Sequence, residues 1–376
     1  MKRKVLIVGL GISGMSAAIS LKKQGWFPVL IERSSERRKG GYFIGLREEG
    51  KQAAESLGAF KYMPNRTPQK AQFYDINKDG NRRPIRDITN ETNAPVALLR
   101  GDIEEALWKV IDESIEVRFD TGPVSITNKE FTASVSLRQG DGPVYEEDYD
   151  LVIGADGIRS SVREMVFGSD DNFLHPVGTV LCAFPLSEQL KGFSQGDGII
   201  IAEKGRSLTV FPLANMPPTA LFSYRISGEK VTSKKLPAET LHKIFSGLDN
   251  SGLISSVLDE LSGTQDYVFD TVNMVKMSSW SKGRVVLLGD AAWCLTLYSG
   301  MGASAGMIGG VALGNALAGN ESNIDDALNE YEKSMRPFIE KHQRFVRLRS
   351  QLFVPSSNFF VKIRRFLWKI LTKSIK

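Results

Sequence analysis

Cysteine and histidine are scarce in this chain of 376 residues: Cys182 and Cys294 are the only cysteines, and His175, His242 and His342 the only histidines. Two distant cysteines make no disulfide framework and no zinc-ligand spacing, and the scattered histidines supply no metal cluster and no Cys–His pair. No metal is expected, and the cysteine usage suits a reducing compartment. Long apolar runs are missing too, since none reaches the ~18 residues of a membrane span. Lys2, Arg3 and Lys4 precede apolar residues, but glycines soon break that stretch and no small-residue cleavage site follows. It reads as the opening strand of a cytoplasmic domain, not as a signal peptide.

Acidic side chains are absent from residues 341–376, which hold ten Lys/Arg, while the rest of the chain carries 38 basic and 43 acidic side chains. The net charge of +5 is therefore a property of the tail. A nucleic-acid-binding function for the whole protein is excluded on that ground.

What is present is organised. Lys4–Gly9 (KVLIVG) reads as a buried strand, Ser13–Gln24 as a helix, and Phe27–Glu32 (FPVLIE) as a second strand ending on a carboxylate. This βαβ unit is the usual start of a doubly wound sheet. After Gly40-Gly41, Glu48–Leu57 reads as a short helix. Residues 66–97 are polar, with a turn at Lys78-Asp79-Gly80, and predict a hairpin excursion. A helix returns near Gly101–Glu113, with Asp102 and Glu105 spaced as a capping box. Short β runs follow from Ile115 and lead into an apolar strand, Tyr149–Ala155. Ser207–Leu213 and Thr219–Ile226 predict a hairpin of a second sheet, ahead of a helical pair near 237–262. Arg284–Gly289 is again a buried strand, and Gly302–Leu317 a Gly/Ala-rich helix. The expected fold class is α/β. A discontinuous Rossmann-like domain (1–70, 98–173 and 274–335) is joined by a β-rich substrate domain (71–97 and 174–273) and a basic C-terminal helical segment (336–376).

Three motifs carry chemistry. Gly9-Leu10-Gly11-Ile12-Ser13-Gly14 lies between strand and helix, where Gly9 permits the turn, Gly11 lets backbone approach a pyrophosphate, and Gly14 lets helix pack on strand. The helix N-terminus offers N–H groups to phosphates. Glu32, 18 residues beyond Gly14, is placed to accept from ribose hydroxyls. NAD and FAD stay equally open on this motif alone. The second motif runs from Asp150 to Arg163 through Asp156-Gly157-Ile158-Arg159, and the third from Gly283 through Gly289-Asp290-Ala-Ala-Trp293 to Ser299-Gly300-Met301-Gly302.

Together and in this order, the three resemble the aromatic-hydroxylase (class A) flavoprotein monooxygenases over residues 4 to about 340. The Val275–Arg284 run and the C-terminal helix are further similar to the tetracycline-inactivating members. The resemblance implies FAD as cofactor and NADPH or NADH as transient reductant, the latter consistent with the lack of a second GxGxxG. It implies O₂ addition at flavin C4a, with the hydroperoxide passing one oxygen atom to a bulky organic substrate. The catalytic chemistry is then borne by the flavin, and no protein nucleophile or acid–base pair is assigned. It also implies that Asp290 meets the ribityl chain, and that the helix opened by Gly300, Met301 and Gly302 faces the flavin pyrimidine edge, which becomes anionic on reduction. Arg100 matches an arginine that contacts FAD, and Arg47 a flavin-side position. Arg33 lies over the adenine or in solvent. Asp156, Gly157 and Arg159 resemble the motif linking FAD and nicotinamide handling, or form a turn with a capping aspartate. Trp293 faces the flavin or is plain core. The chain departs from the pattern at Cys294–Tyr298, which lacks the usual proline, and at Gly300-Met301-Gly302, where a Gly-Gln-Gly is common.

In the tail, Ser356-Ser357-Asn358 can cap a final helix. Phe359, Ile363, Phe366, Leu367 and Ile370 fall on one face, and Lys362, Arg365, Lys369 and Lys373 largely on another. Docking of the apolar face across the two lobes is the first expectation; peripheral contact of residues 356–376 with an anionic membrane, the inner membrane in a bacterium, is the second. A monomer is expected, with no nucleic-acid partner. Two other functions stay open at this point: a flavoprotein reductase or cyclase acting on isoprenoid or other lipid-like chains, and a non-catalytic flavin-fold protein.

Overall fold

The computed structural model describes residues 3–37, 40–69, 72–87, 94–226, 237–320 and 323–373. Short strands with Val, Ile and Leu on both faces are stable only inside a parallel sheet covered on each side. Here they form a six-stranded sheet in the order β17 (Ser281–Lys282), β18 (Val285–Leu287), β11 (Leu151–Gly154), β1 (Lys4–Val8), β2 (Phe27–Ile31) and β7 (Glu116–Arg118). Only the edge strand β17 runs antiparallel to its neighbour. The first expected βαβ unit is this core, with α1 (Ile12–Lys23) as its helix. A second helix, α8 (Gly302–Gly319), lies directly on α1. Gly306, Gly310 and Gly314 recur every four residues on α8, and a Cβ at Gly310 would stand 2.7 Å from the Ser16 Cβ. The glycines cost helix propensity, about 1 kcal/mol each, and in exchange the two backbones approach closely.

An antiparallel sheet of β8 (Thr121–Asn128), β9 (Ala133–Gln139) and β10 (Tyr145–Tyr149) precedes β11. The apolar run Tyr149–Ala155, read as one strand, is therefore split between two sheets. The break is Asp150, whose carboxylate accepts from the Lys4 N–H at 2.6 Å. A second correction concerns the helix near residue 101. It is α3 (Arg100–Trp108), so Asp102 sits one turn inside it and not at the cap. The Asp102 carboxylate reaches back to the Leu99 N–H at 2.8 Å and binds Arg66 in a two-pronged ion pair at 2.6 Å. Glu105 pairs with Arg37 at 2.6 Å. Ahead of α3, β6 (Val96–Leu99) pairs with β3 (Phe43–Leu46), and α2 (Glu48–Leu57) follows β3.

The second large sheet has seven strands, in the order β16 (Val268–Val275), β12 (Leu174–Pro185), β15 (Met216–Arg225), β14 (Arg206–Leu213), β13 (Gly198–Glu203), β4 (Gln72–Ile76) and β5 (Arg82–Asp87). The early excursion thus joins strands that follow it by more than a hundred residues. Helices α5 (Pro237–Phe245) and α6 (Leu253–Gly263) cover this sheet, with Leu241, Phe245 and Leu258 meeting Val210 and Phe222 in its core.

Three helices close the chain. In α9 (Ile324–Arg344), Leu328, Tyr331, Met335 and Ile339 point into the core of the parallel sheet. Helix α10 (Val346–Phe353) places Val346 and Phe353 among Val177, Val272, Met274 and Tyr298, side chains from both halves of the molecule. Helix α11 (Asn358–Lys373) begins after Ser357, whose hydroxyl accepts from the Phe360 N–H at 3.4 Å. Bridging of the two halves was expected of α11; α10 does it, and α11 packs on β5 and β13 of the seven-stranded sheet. The face of α11 that docks also differs from the expected one. Val361 and Arg364 are buried, whereas Phe359, Phe366 and Leu367 are exposed. Arg364 decides this, because it donates to Asp75 at 2.8 Å and to the Leu352 carbonyl at 2.9 Å inside the interface. Ile370, Lys369 and Lys373 lie outside the residues whose side chains are described. Among the described residues no helix is long and apolar enough to cross a membrane.

Candidate cofactor and substrate site

The end of β1 opens the site. Gly9 adopts φ +108°, and a Cβ there would lie 2.5 Å from the Ala155 carbonyl oxygen. A Cβ at Gly14 would collide with the Gly9 carbonyl, so helix and strand touch through this residue. Gly11 is different. It is extended (φ −84°, ψ −174°), and a Cβ there would meet nothing nearer than the Arg100 guanidinium at 4.0 Å. Two glycines thus hold the turn, while the third leaves open space in front of the N-terminus of α1, at Ile12 and Ser13. That space is a cavity of about 730 Å³, lined among others by Gly11, Glu32, Arg33, Arg100, Asp156 and Gly157. Backbone N–H groups and the positive helix end face it, as an anion requires.

Glu32 is fixed at the far side of this cavity. One oxygen accepts from the Leu10 N–H at 3.1 Å and the other from the Ser34 N–H at 2.9 Å, which leaves lone pairs for hydroxyl donors. Arg33 is exposed at the rim. Arg100 bonds Glu104 at 2.9 Å, and its guanidinium is held above its ordinary pKa: burial pulls it down, but Glu104, Tyr42 and Asp290 outweigh that.

The Asp156 carboxylate, at the edge of the first cavity, is bonded within its own turn. It accepts from the Ser160 and Ser161 hydroxyls at 2.5 and 2.9 Å and from the Ser161 N–H at 2.7 Å, capping α4 (Ser161–Phe167). Gly157, with φ +85°, brings backbone to the cavity edge. Arg159 turns towards the second sheet and grips Asp270 of β16 with two bonds at 2.5 and 2.9 Å.

A second cavity, of about 390 Å³, lies between the two large sheets. Asp290 opens the short helix α7 (Asp290–Trp293) at its base. The residue is reached by solvent from the cavity, yet surrounding protein raises its carboxyl pKa, with Arg100 and a Cys294 hydrogen bond acting against the rise. Burial likewise raises the Tyr42 phenol beside it. Gly300 and Gly302 are open to this cavity, whereas the Met301 side chain is buried in the parallel-sheet core and offers only its backbone. Arg47, at the start of α2, stands on the rim. Thr296 replaces stiffness with strain: it holds φ +64°, ψ 162°, a region that suits glycine, and its buried hydroxyl has no partner. The opposite wall is apolar, with Phe43 of β3 stacked on Phe211 of β14 at 4.5 Å and 4°, beside Leu221, Val272 and Phe353.

The arrangement fits a dinucleotide that carries a flat ring: a backbone cradle for phosphates, a carboxylate for a ribose, a deep carboxylate for a polyol, and an apolar slot beyond. Sequence reasoning missed Tyr42, Phe43, Phe211 and Asp270 on the walls, and no local pattern marks them. It also passed over Arg163, which is fully buried and ties the second motif to the third. Its guanidinium donates to the Ala291 carbonyl at 2.8 Å, the Ile158 carbonyl at 2.6 Å and Asp170 at 2.5 Å. Trp293 is core: it packs on Trp280 and Tyr331, away from the cavity.

The model of the FAD binding domain family matches residues 2–346. A flavin-dependent monooxygenase from an unidentified prokaryote is 31% identical over 350 residues, which cover 91% of this chain and 87% of the relative. The chain belongs to this family of flavin-dependent monooxygenases. Its cofactor is FAD. The monooxygenase is also similar to one from Legionella longbeachae serogroup 1 (strain NSW150), at 28% identity over 354 residues, 91% of this chain and 87% of that one. Its fold matches the crystal structure of tetracycline destructase Tet(55) with a TM-score of 0.81 at 25% identity, covering 99% of this chain and 96% of that chain. The α/β architecture expected from the sequence is the one this family shares.

Proposed function

We propose that this monooxygenase inserts one oxygen atom into a flat, largely apolar organic substrate, aromatic or polycyclic, bound between the two large sheets, with NADPH or NADH as reductant. The carrying observation is the 390 Å³ cavity, with Asp290, Gly300 and Gly302 at its base and the Phe43–Phe211 stack on its wall. Gly9, Gly11 and Gly14, with the N–H groups of Ile12 and Ser13, hold the FAD pyrophosphate. Glu32 takes the ribose, and Arg33 the adenine side. Arg100, on the wall of the first cavity and electrostatically coupled to Asp290 and Tyr42 of the second, would steady the cofactor between them, and Asp290 would bind the ribityl chain. The N–H groups at Gly300, Met301 and Gly302 would hold the pyrimidine edge, where a helix N-terminus favours negative charge. Arg47 closes the rim, and the Gly157 backbone meets the cofactor while Asp156 holds its turn in shape. When bound there, FAD would supply the redox and oxygen-activating chemistry, with NADPH or NADH providing the electrons and the second oxygen atom leaving as water. The protein's own share is position and dryness. The aromatic wall orients the substrate, and Leu221, Val272 and Phe353 exclude water from the reacting face.

Tetracycline destructases share the fold over nearly the whole chain, which makes tetracyclines the first polycyclic substrates to try. The experiment is NADPH oxidation with ¹⁸O₂ across a panel of tetracyclines and simpler phenols. A product gaining one labelled atom supports the reading. Turnover without oxygen, or a product free of label, would instead make it a reductase or cyclase of lipid-like chains.

A further inference from the structure

Six of the thirteen large apolar side chains exposed among the described residues fall within residues 345–367: Phe345 at the junction of α9 and α10, Leu348 and Leu352 on α10, and Phe359, Phe366 and Leu367 on α11. Such clustering is far from random along a chain of 376 residues, it falls on two helices that pack on each other, and exposed apolar groups so concentrated mark an interaction surface. Exposed basic side chains are interleaved with them: Arg344 at the end of α9, Arg347 on α10, and Lys362 and Arg365 on α11. No acidic residue occurs anywhere from 341 to 376. The outward face of α11 is fixed, because Val361 and Arg364 bury the other side and Arg364 is locked onto Asp75. On the outward face Phe359 and Phe366 stand about two turns apart, with exposed Lys362 and Arg365 between them in the sequence.

We propose that this surface docks on an anionic phospholipid bilayer. Aromatic rings enter the boundary between headgroups and acyl chains, while lysine and arginine extend along them to the phosphates. The rest of the chain, with 38 basic and 43 acidic side chains, is repelled by the same surface, so the charge distribution selects this side of the molecule. A second copy of the chain is the poorer occupant. A twofold contact would set the patch against itself, cation against cation. Helix α10 also supplies Phe353 to the cavity wall, so the docking surface and the cavity share one element.

The test is sedimentation of the FAD-loaded protein with phosphatidylcholine vesicles, with and without phosphatidylglycerol. Binding is expected only with phosphatidylglycerol, and it weakens in high salt as the Debye length contracts to about 3 Å at 1 M. Each basic side chain near such a surface tightens binding about fivefold. The double variant K362E/R365E should therefore lose more than about 25-fold. The variant F359S/F366S should bind measurably more weakly at unchanged charge. All four side chains are exposed, so flavin absorbance, melting temperature and turnover of a soluble substrate should stay as in the wild type. No sedimentation with phosphatidylglycerol, equal sedimentation with pure phosphatidylcholine, or a wild-type dimer that F359S/F366S converts to monomer would each overturn the proposal.

Discussion

Gly11 and Gly14 stand in one motif but answer to different constraints, and alanine at each position separates cofactor binding from folding. At Gly11 the backbone already has angles open to alanine, and the new methyl would meet only the Arg100 guanidinium at 4.0 Å. The cofactor-free protein should stay within about 1 kcal/mol of the wild type, because alanine narrows the unfolded ensemble but is a poorer N-cap than glycine at the start of α1. With FAD the methyl occupies the space a phosphate oxygen needs to sit about 2.9 Å from backbone N–H. Losing one charge-assisted hydrogen bond costs about 1.5–3 kcal/mol, or about 10- to 150-fold in affinity. At Gly14 the methyl lands on the Gly9 carbonyl oxygen, and both partners are backbone. Overpacking costs about 1–3 kcal/mol or more, against a helix-propensity gain of about 1 kcal/mol. Gly14→Ala should therefore melt earlier with or without FAD. Thermal melts of FAD-stripped protein and calorimetric titration with FAD read both effects. A Gly11→Ala protein that binds FAD as tightly as the wild type would refute the placement of the pyrophosphate at this cradle.

Asp290→Asn should weaken FAD binding at least about tenfold, the lower end of the worth of a hydrogen bond to a charged group, with the melting temperature of the stripped protein unchanged or higher, since the surrounding protein already disfavours the Asp290 carboxylate. Arg163→Met removes a guanidinium that bonds both motifs and should cost more than about 3 kcal/mol in urea unfolding. Arg159→Ala, whose partner Asp270 is also partly exposed, should cost less than about 1 kcal/mol; equal losses for the two would show that the buried tie carries no special weight. Glu147 is held at about 2 although burial opposes this, because Arg118, Lys4 and Tyr149 all donate to it. A depressed carboxyl contributes stability above its unfolded value near 4.5 and loses it as pH falls towards 2. Glu147→Gln should thus cost about 2–3 kcal/mol at pH 7 and flatten the acid limb of the stability curve; a parallel limb in the variant would contradict the assignment.

The parts of the fold that the chain spells out locally were legible. Strands β1 and β2 and helix α1 follow directly from apolar runs and a glycine turn, and α2 from its 3.6-residue pattern. What stayed hidden depends on distant partners. Asp150 interrupts an apolar run only because the Lys4 N–H lies across the sheet from it. Arg364 looks like one more basic residue of the tail until Asp75, 289 positions earlier, is brought beneath it. That single pair reversed the docking face of α11. The same limit applied in the site. Gly9, Glu32 and Asp290, which line the two cavities, were singled out because motifs mark them, whereas Phe43 and Phe211 meet across elements 168 residues apart and have no common pattern.

The second motif shows why a cofactor motif need not touch its cofactor with every polar group. The Asp156 carboxylate is spent on the start of α4, and Arg163, within that helix, is spent on Ile158, Ala291 and Asp170. A guanidinium inside a core is tolerable only when its donors are paired with acceptors of opposite charge or carbonyls. Once so paired it is rigid. Through the Ala291 carbonyl it fixes the residue next to Asp290, and through the Ile158 carbonyl the residue next to Gly157. One buried cation thereby sets the distance between two loops that line different cavities. The motif's polar residues place backbone at the two cavities, and the spacing of charges within it records the internal bonds of the turn rather than the outline of a ligand.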